Sequence, residues 1–284
     1  MAQDNFRSAF MWGYRRIPIV IRTIITLNVA IYIIQVLGGT AFNRGLMSLF
    51  AFYPDWSVAL FQPWRLVTYM FLHGSGFHLL FNMLWLWWMG RAVEENLGPR
   101  TFSVIYFGAG IGGVLLDILI STFLGVNFVI GASGAVFGVM VAFAVMFPSM
   151  PIMLFLLPPI EARFLVAGLI AFDLLFLGAA DNIARVVHLG GAGCGWLLIR
   201  AHYAGYDLSS LVRPFERLFR RSPTKSSRKN KRTSENLYSV RDVEIMEESD
   251  ADELDLILEK IAREGYEGLT DDEKRKLFDL SKRN

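Results

Sequence analysis

The sequence predicts an all-α membrane protein, a bundle of six transmembrane helices with a short fourth helix at its centre, followed by a small helical hairpin. Hydrophobic residues make up 54% of the chain, and they gather in long blocks instead of following an amphipathic pattern. Roughly the first 200 residues carry too few charges to cover a water-soluble core. Lipid is therefore the expected solvent for this part of the chain.

Six apolar stretches are long enough to cross, or nearly cross, a bilayer. They occupy residues 17–37, 76–93, 101–124, 133–147, 164–178 and 187–202. The first lacks a signal-peptide cleavage pattern, so we expect it to be retained as a span. Basic residues before the first stretch, after the second and after the sixth fall on one side if the amino terminus is cytoplasmic. We therefore expect a multi-pass integral membrane protein with both termini in the cytoplasm.

Changes in composition divide the chain into four parts. We expect a cytoplasmic N-terminal segment at 1–16, the membrane domain at 17–203, a basic flexible linker at 204–251 and a small cytoplasmic helical hairpin at 252–284. Thr270 and Glu273 predict a capping box at the second hairpin helix. The loop at 38–74 is rich in aromatic residues, so we place it in the outer membrane interface.

Charge and cysteine content exclude several classes of function. Basic residues crowd 213–232 and acidic residues crowd 242–259, so the net charge of +2 does not indicate nucleic acid binding. Cys194 is the single cysteine, which excludes an internal disulfide and a zinc cluster built on thiolates. The sequence has no His-Glu-x-x-His motif. We expect neither a metal nor a cofactor.

The short fourth stretch opens with a serine between glycines, where Gly131 and Ala132 precede Ser133 and Gly134 follows it. At ~1.5 Å per residue this helix falls short of the ~30 Å hydrocarbon core, so its first residues must lie below the membrane surface. The free N–H groups of a helix start can stabilise an oxyanion beside a serine nucleophile. The motif alone is weak, because small residues also serve helix packing.

His188 opens the sixth stretch and is followed by several glycines, including Gly191 and Gly195. A lone histidine at a helix end is more often an interface residue than a catalyst. The predicted topology favours catalysis, because the fourth and sixth helices both begin on the outer side and place Ser133 and His188 at similar depth. Gly191 and Gly195 form a small-xxx-small face that allows the close helix approach a serine–histidine hydrogen bond requires.

His78 and Asn82 are four residues apart on the second helix and therefore share one face near the same outer end. Polar side chains on a buried membrane face are costly unless they are used. We interpret them as oxyanion donors acting together with the N–H of Ser133. The alternative is that they only hold helices together through hydrogen bonds.

The acidic residues in or beside the later apolar stretches do not form a recognisable catalytic motif. Asp117, Asp173 and Asp181 have no motif that pairs them as catalysts, and none is obviously placed to orient His188. The sequence therefore favours a Ser133–His188 dyad without an acid.

Together these residues resemble the rhomboid family of intramembrane serine proteases, in its bacterial six-helix form with a short cytoplasmic C-terminal domain. The resemblance covers 44–201 and rests on separate motifs that follow one another in the expected order. These motifs are Trp64 with Arg65, His78 with Asn82, the serine motif of Gly131, Ser133 and Gly134, and His188 with Gly191 and Gly195.

The resemblance implies that Ser133 attacks the peptide bond, that His188 acts as base and then as acid, and that His78 and Asn82 join the oxyanion hole. It implies transmembrane protein substrates in the lipid bilayer, cut at a small residue where their helix unwinds, and a bacterial inner membrane location. It also implies a structural role for Gly90 and Glu94. Nothing identifies a cytoplasmic partner for the hairpin.

Two positions depart from the family pattern. Phe137 stands where many relatives have a tyrosine that packs on the histidine, so stacking can survive without a phenol hydrogen bond. Arg185 stands where relatives often carry another histidine. Two rival functions stay open: a catalytically silent rhomboid relative that binds membrane proteins, and a small transporter. The transporter predicts broken helices or repeat symmetry, which the sequence lacks.

Overall fold

The computed structural model describes residues 13–124, 128–153, 158–177 and 184–214, together with residues 257, 259–261, 263, 265 and 268–275 of the tail. The chain forms two compact units, Met1–Ser222 and Pro223–Asn284. The first unit contains all of the helices described next and every candidate site residue.

Helix α1, Ile19–Leu37, is the first apolar stretch and begins directly after Pro18. The first N–H groups of any helix have no partner inside it. The Glu94 carboxylate accepts two of them, from Val20 and Ile21, each at 2.9 Å. Glu94 is only 3% exposed, so this buried cap fastens the start of α1 to a distant part of the chain. Glu94 thus has the structural role expected of it.

The segment predicted as an aromatic loop contains short helices. Helix α2 spans Gly39–Phe50, α3 spans Trp56–Phe61 and α4 spans Arg65–Thr68, and a 3₁₀ turn follows at Tyr69–Phe71. Gly39 has a φ of +73°, a left-handed conformation that ends α1 without a side-chain clash. The prediction of a loop did not include these helices. Helices α3 and α4 are too short to give a clear periodic pattern, whereas the 12 residues of α2 are enough to show one.

Trp64 and Arg65 hold this segment together. Arg65 is 6% exposed, and its guanidinium donates hydrogen bonds to the carbonyl oxygens of Ala51, at 2.6 Å, and Ser48. The indole N–H of Trp64 donates to the carbonyl oxygen of Leu49 at 3.1 Å. Removing the buried guanidinium would leave backbone carbonyls without partners, which is costly. The pair therefore supports the fold of the segment.

Helix α5, Gly76–Trp85, begins at Ser75, whose hydroxyl oxygen accepts the N–H of His78 at 3.2 Å. A π-helical turn at Leu86–Gly90 follows it. A Cβ at Gly90 would approach the Ile21 side chain of α1 to 3.3 Å, so glycine keeps these two elements close.

Helix α6, Arg91–Leu124, continues directly from that turn. Helical geometry breaks inside it at Gly98, with φ 76° and ψ 164°, just before Pro99. Only glycine adopts that conformation without strain, and proline disfavours helical geometry in the residue before it. The break separates the two helices predicted at 76–93 and 101–124.

Helix α7 spans Ser133–Met146. Two-residue strands, β1 at Pro151–Ile152 and β2 at Ile160–Glu161, then pair antiparallel and lead into α8, Ala162–Leu175. Helix α9 spans Arg185–Tyr203 and is followed by a 3₁₀ turn at Leu208–Leu211.

Helix α7 is the short central helix that the sequence predicts. Its 14 residues rise about 21 Å, less than the ~30 Å hydrocarbon core. It is apolar all round, its residues from Gly134 to Phe143 are almost all buried, and it packs against α6, α8 and α9. A helix buried on every side is held in place by its neighbours, which suits it to carry a precisely placed side chain.

The surface of the helices fits a lipid environment. Two helical stretches, Ile19–Leu37 and Gly76–Ile120, are long and apolar enough to cross a bilayer. All six predicted apolar segments contain helix, although the number of crossings stays a prediction. Large apolar side chains lie exposed on the outer helices, such as Leu37 (80%), Phe77 (74%) and Leu175 (81%). Water-soluble surfaces rarely expose so much apolar area.

The tail unit shows the predicted capping box. The N–H of Thr270 donates to the Glu273 carboxylate at 2.7 Å, and the N–H of Glu273 donates back to the Thr270 hydroxyl at 3.4 Å. Lys260 forms an ion pair with Glu273 at 2.9 Å. Most of the predicted linker and much of the predicted hairpin lie outside the described residues.

Candidate active site

The backbone before α7 is hydrogen-bonded to the segment at 38–74, which was predicted as an aromatic loop. Phe52 and Val129 exchange backbone hydrogen bonds at 3.0 and 2.7 Å, and the N–H of Gly131 donates to the carbonyl oxygen of Tyr69 at 2.9 Å. Gly131 has a φ of +111°, and a Cβ there would lie 2.5 Å from Cε1 of His78. Glycine is thus required twice, for its backbone conformation and for the imidazole ring that lies against it.

The close approach predicted for α7 and α9 is present. A Cβ at Gly191 would overlap the carbonyl oxygen of Gly134, and a Cβ at Gly195 would overlap the Cα of Gly138. The two helices therefore touch backbone to backbone. Because glycines leave no side chain between the two backbones, the starts of the two helices can lie close together.

Ser133 and His188 meet where these two helices begin. The Oγ of Ser133 lies 2.7 Å from Nε2 of His188, a normal hydrogen-bond distance. Ser133 is half-buried and His188 is 9% exposed. The ring of Phe137, one turn along α7, stacks on the imidazole with centroids 4.5 Å apart and planes 9° apart. The stacking that the family resemblance implies for a phenylalanine at this position is therefore present.

His78 and Asn82 lie on α5 beside the serine motif. His78 contacts Gly131, two residues before Ser133. Asn82 is 6% exposed, and its side-chain amide donates to the carbonyl oxygen of His78 at 2.8 Å. An amide has two N–H donors, so this bond leaves the second one for another acceptor. The structure thus brings His78 to the site and gives Asn82 an additional role inside its own helix.

An acid that the sequence did not assign contacts His188. Asp173, near the end of α8, places Oδ2 2.8 Å from Nδ1 of His188. Its other oxygen, Oδ1, lies 3.7 Å from Nε of Arg185. Asp173 is 5% exposed and Arg185 is 4% exposed. The expectation that no acid is placed to orient His188 was therefore wrong.

Residues 60–204, about half of the chain, match the family model of the Rhomboid domain. The chain belongs to the rhomboid family. The tail, at 247–283, matches a second model that describes a family of unknown function, DUF6576. The rhomboid family consists of integral membrane proteins and includes intramembrane serine proteases, which agrees with the apolar helices described above.

Several curated rhomboids are similar to this chain. RHOMBOID-like protein 4 of Arabidopsis thaliana is 34% identical over 147 residues, which cover 50% of this chain and 36% of the relative. Rhomboid protease GluP of Bacillus subtilis is 31% identical over 167 residues, 59% of this chain and 31% of the relative. Rhomboid protease GlpG of Yersinia pestis is 33% identical over 178 residues, 62% of this chain and 60% of the relative. The matched region is less than two thirds of each relative.

One feature of the sequence does indicate that Asp173 has a specific role in this rhomboid. Asp173 is the only acid in the apolar sequence of α8, and it stands two residues before the end of that helix. A negative charge near a helix C-terminus opposes the helix dipole, so its presence needs a reason. Sequence spacing could not identify the partner, because His188 is 15 residues away on another helix. Asp181, the other acid considered near this point, lies outside the described residues.

The described part of this rhomboid contains no group of three or more His, Cys, Asp or Glu side chains that could hold a metal ion. Cys194 of α9 packs against Gly112 of α6, where a Cβ would lie 2.5 Å from its sulfur.

Proposed function

We propose that this rhomboid is an active intramembrane serine endopeptidase that hydrolyses peptide bonds in or near the transmembrane helices of membrane proteins. The observation that carries the proposal is the 2.7 Å distance between Ser133 Oγ and His188 Nε2 at the start of a central helix too short to span the hydrocarbon core. A serine placed in this way has a base within reach and lies below the membrane surface.

The reaction uses Ser133 and His188 in turn. The Ser133 hydroxyl transfers its proton to Nε2 as the oxygen attacks the carbonyl carbon of the scissile bond. The imidazolium of His188 then gives that proton to the leaving amine, and a water molecule repeats the cycle on the acyl-enzyme. Phe137 keeps the ring of His188 in the plane that faces Ser133 throughout.

The oxyanion is stabilised at the N-terminus of α7. The first intrahelical bond runs from the N–H of Val136 to the carbonyl oxygen of Ala132, so the N–H of Ser133 precedes the hydrogen-bonded ladder. His78, which lies against Gly131, and the second N–H of Asn82 supply further donors from α5. Removing one such donor from a serine protease typically costs about 100- to 1,000-fold in kcat.

The substrates are transmembrane proteins whose helices contain weak points. The carbonyls of a regular helix are hydrogen-bonded, so Gly or Pro near the cut helps to expose the peptide bond. We place the enzyme in a bacterial inner membrane, with six crossings over 17–203 and both termini in the cytoplasm, so that the linker at 204–251 and the hairpin at 252–284 are also cytoplasmic.

The test is cleavage of a tagged model transmembrane substrate in proteoliposomes. Ser133→Ala and His188→Ala should each lower the rate by about 1,000-fold or more. Ser103→Ala and His202→Ala are matched controls. Ser103 is partly exposed on α6, and its hydroxyl donates to the backbone carbonyl of Pro99 in its own helix. His202 lies at the opposite end of α9 from His188. Both controls should cleave at the wild-type rate.

A fluorophosphonate probe, which reacts with activated serines, separates the proposal from a silent rhomboid that binds membrane proteins. Wild type should be labelled and Ser133→Ala should not. Cleavage that survives in Ser133→Ala, or a wild type that neither labels nor cleaves any member of a varied substrate panel, would overturn the proposal.

A further inference from the structure

We infer that Asp173 is a positioning residue for His188, so that this rhomboid uses a Ser133–His188–Asp173 triad whose acid is held by Arg185. The inference rests on the proposed function and extends it, since the pattern of the sequence indicates only a dyad. It starts from the 2.8 Å contact between Asp173 Oδ2 and His188 Nδ1 on the side of the imidazole opposite Ser133.

The first argument concerns the tautomer of His188. An ionised carboxylate can only accept hydrogen bonds, so a contact with Asp173 requires the proton of the neutral imidazole to be on Nδ1. Nε2 then carries the lone pair, and Nε2 is the atom that lies 2.7 Å from Ser133 Oγ. Asp173 thus selects the one neutral form of His188 that can take the serine proton.

The second argument concerns charge. An isolated carboxylate is costly to bury, and Asp173 has a side chain only 8% exposed. Arg185, whose side chain is 3% exposed, faces the oxygen that His188 does not use. Arginine stays charged in proteins, so its guanidinium offsets the negative charge of the carboxylate in the tautomer argument. Each carboxylate oxygen of Asp173 therefore faces a different partner, Oδ2 facing His188 and Oδ1 facing Arg185.

The third argument is geometric. Ser133, His188 and Asp173 come from α7, α9 and α8, and the stacked ring of Phe137 blocks rotation of the imidazole out of the line between the other two. When His188 takes the proton from Ser133, the imidazolium faces the carboxylate of Asp173 directly. That interaction is stronger in the transition state than in the ground state, so it lowers the barrier.

A purely structural role for Asp173, joining α8 to α9, predicts different results. It predicts that Asp173→Asn loses thermal stability and loses activity only as far as the protein unfolds. The positioning role predicts a protein that stays folded, binds substrate with an unchanged KM, and has a kcat about 100- to 10,000-fold lower. Asparagine keeps the size of the side chain but can donate to Nδ1 and favour the wrong tautomer.

The experiment compares full-length wild type, Asp173→Asn, Asp117→Asn and Ser133→Ala in proteoliposomes. Asp117 is a matched control, because it is a fully buried acid on α6 whose carboxylate oxygens have no hydrogen-bond partner among the described residues. Three quantities are measured for each variant: the rate of labelling by a fluorophosphonate, kcat and KM for a model substrate, and the midpoint of thermal unfolding.

We expect Asp173→Asn to lose at least 100-fold in both labelling rate and kcat with KM and the unfolding midpoint close to wild type, while Asp117→Asn stays within a few-fold of wild type. Rates for Asp173→Asn within threefold of wild type, or equal losses in both Asn variants, would overturn the inference and leave the proposed function intact. A wild type labelled no faster than Ser133→Ala would overturn the proposed function, and the inference with it.

Discussion

The two sides of α9 meet their neighbours in different ways. Toward α7, contact is made by glycines, with the backbone of Gly191 and Gly195 lying directly on the backbone of Gly134 and Gly138. Toward α8, contact near the site is made by charged and polar side chains, with Asp173 between His188 and Arg185. One interface depends on the absence of side-chain atoms and the other on their chemistry.

The two interfaces of α9 meet two separate requirements of the site, the distance between Ser133 and His188 and the orientation of His188. The glycine interface sets how closely Ser133 and His188 approach, and it tolerates almost no added volume, since packed interiors respond to a single methyl group. The polar interface sets the orientation and, by our inference, the proton position of His188. Volume changes should therefore break the first interface, and isosteric changes of chemistry should break the second.

Apart from substitutions of Ser133, His188 and Asp173, the largest effect is expected from a methyl group added to the glycine interface. Gly191→Ala would force its Cβ into the carbonyl of Gly134, so α7 and α9 must separate and the serine–histidine hydrogen bond must lengthen. Overpacking of this kind costs about 1–3 kcal/mol or more. We expect at least a tenfold loss of cleavage together with a lower unfolding midpoint.

The same substitution two residues along α9 is the control. A Cβ at Gly193 would meet nothing within 4 Å, so Gly193→Ala should be active and slightly more stable, by about 0.5–1 kcal/mol. Thermal unfolding and proteoliposome cleavage measure both variants. Equal behaviour of the two alanine variants would contradict the view that backbone contact sets the site geometry.

A moderate effect is expected where the two interfaces meet, at the ring of Phe137. Phe137→Leu removes the ring stacked on His188 but keeps most of the apolar volume. Aromatic pairs contribute about 0.5–1.5 kcal/mol beyond burial, so we expect a two- to tenfold fall in kcat/KM. Phe137→Tyr keeps the ring and should stay near the wild-type rate. A leucine variant as active as the tyrosine variant would show that stacking does not orient the histidine.

The smallest effect is expected at Glu273, a partly exposed carboxylate in the tail unit. Glu273 accepts hydrogen bonds from Thr270 and pairs with Lys260, and these contacts, the backbone N–H of Thr270 first, lower its pKa from 4.5 to about 2. A lowered pKa in the folded state means that the stabilisation is complete above about pH 4.5 and is lost as the pH falls toward 2.

A ¹³C NMR titration of the full chain with labelled glutamate measures this directly. The Glu273 carboxyl should titrate well below its ordinary value of 4.5. Thr270→Ala removes the hydroxyl but keeps the backbone N–H, so it should raise the midpoint only part of the way toward 4.5. The unfolding midpoint of the membrane unit should not respond to Thr270→Ala. An unshifted Glu273 in the wild type would show that the exposed capping box contributes nothing measurable in solution.

The features that the sequence predicted well are those encoded over short spans. The serine motif, the glycine spacing of α9 and the capping box of Thr270 all lie within about five residues, and each has a physical meaning at that spacing. Long apolar runs likewise placed the main helices. The short helices α3 and α4 and the π-helical turn at Leu86–Gly90 were not predicted, because a few residues give no periodic signal. Helix α2 was also not predicted, although its 12 residues are enough to show a periodic pattern.

The sequence by itself determined which residues could do chemistry: a serine at the start of a short apolar helix, a histidine ahead of a glycine face, and two polar side chains one turn apart. Only the tertiary structure decided that Asp173 lies against His188, and that Glu94 caps α1 from 73 residues away. The physical reason is that a carboxylate has no sequence signature for its partner. Its hydrogen bonds form only when separate helices dock, and that docking depends on the packing of the whole bundle.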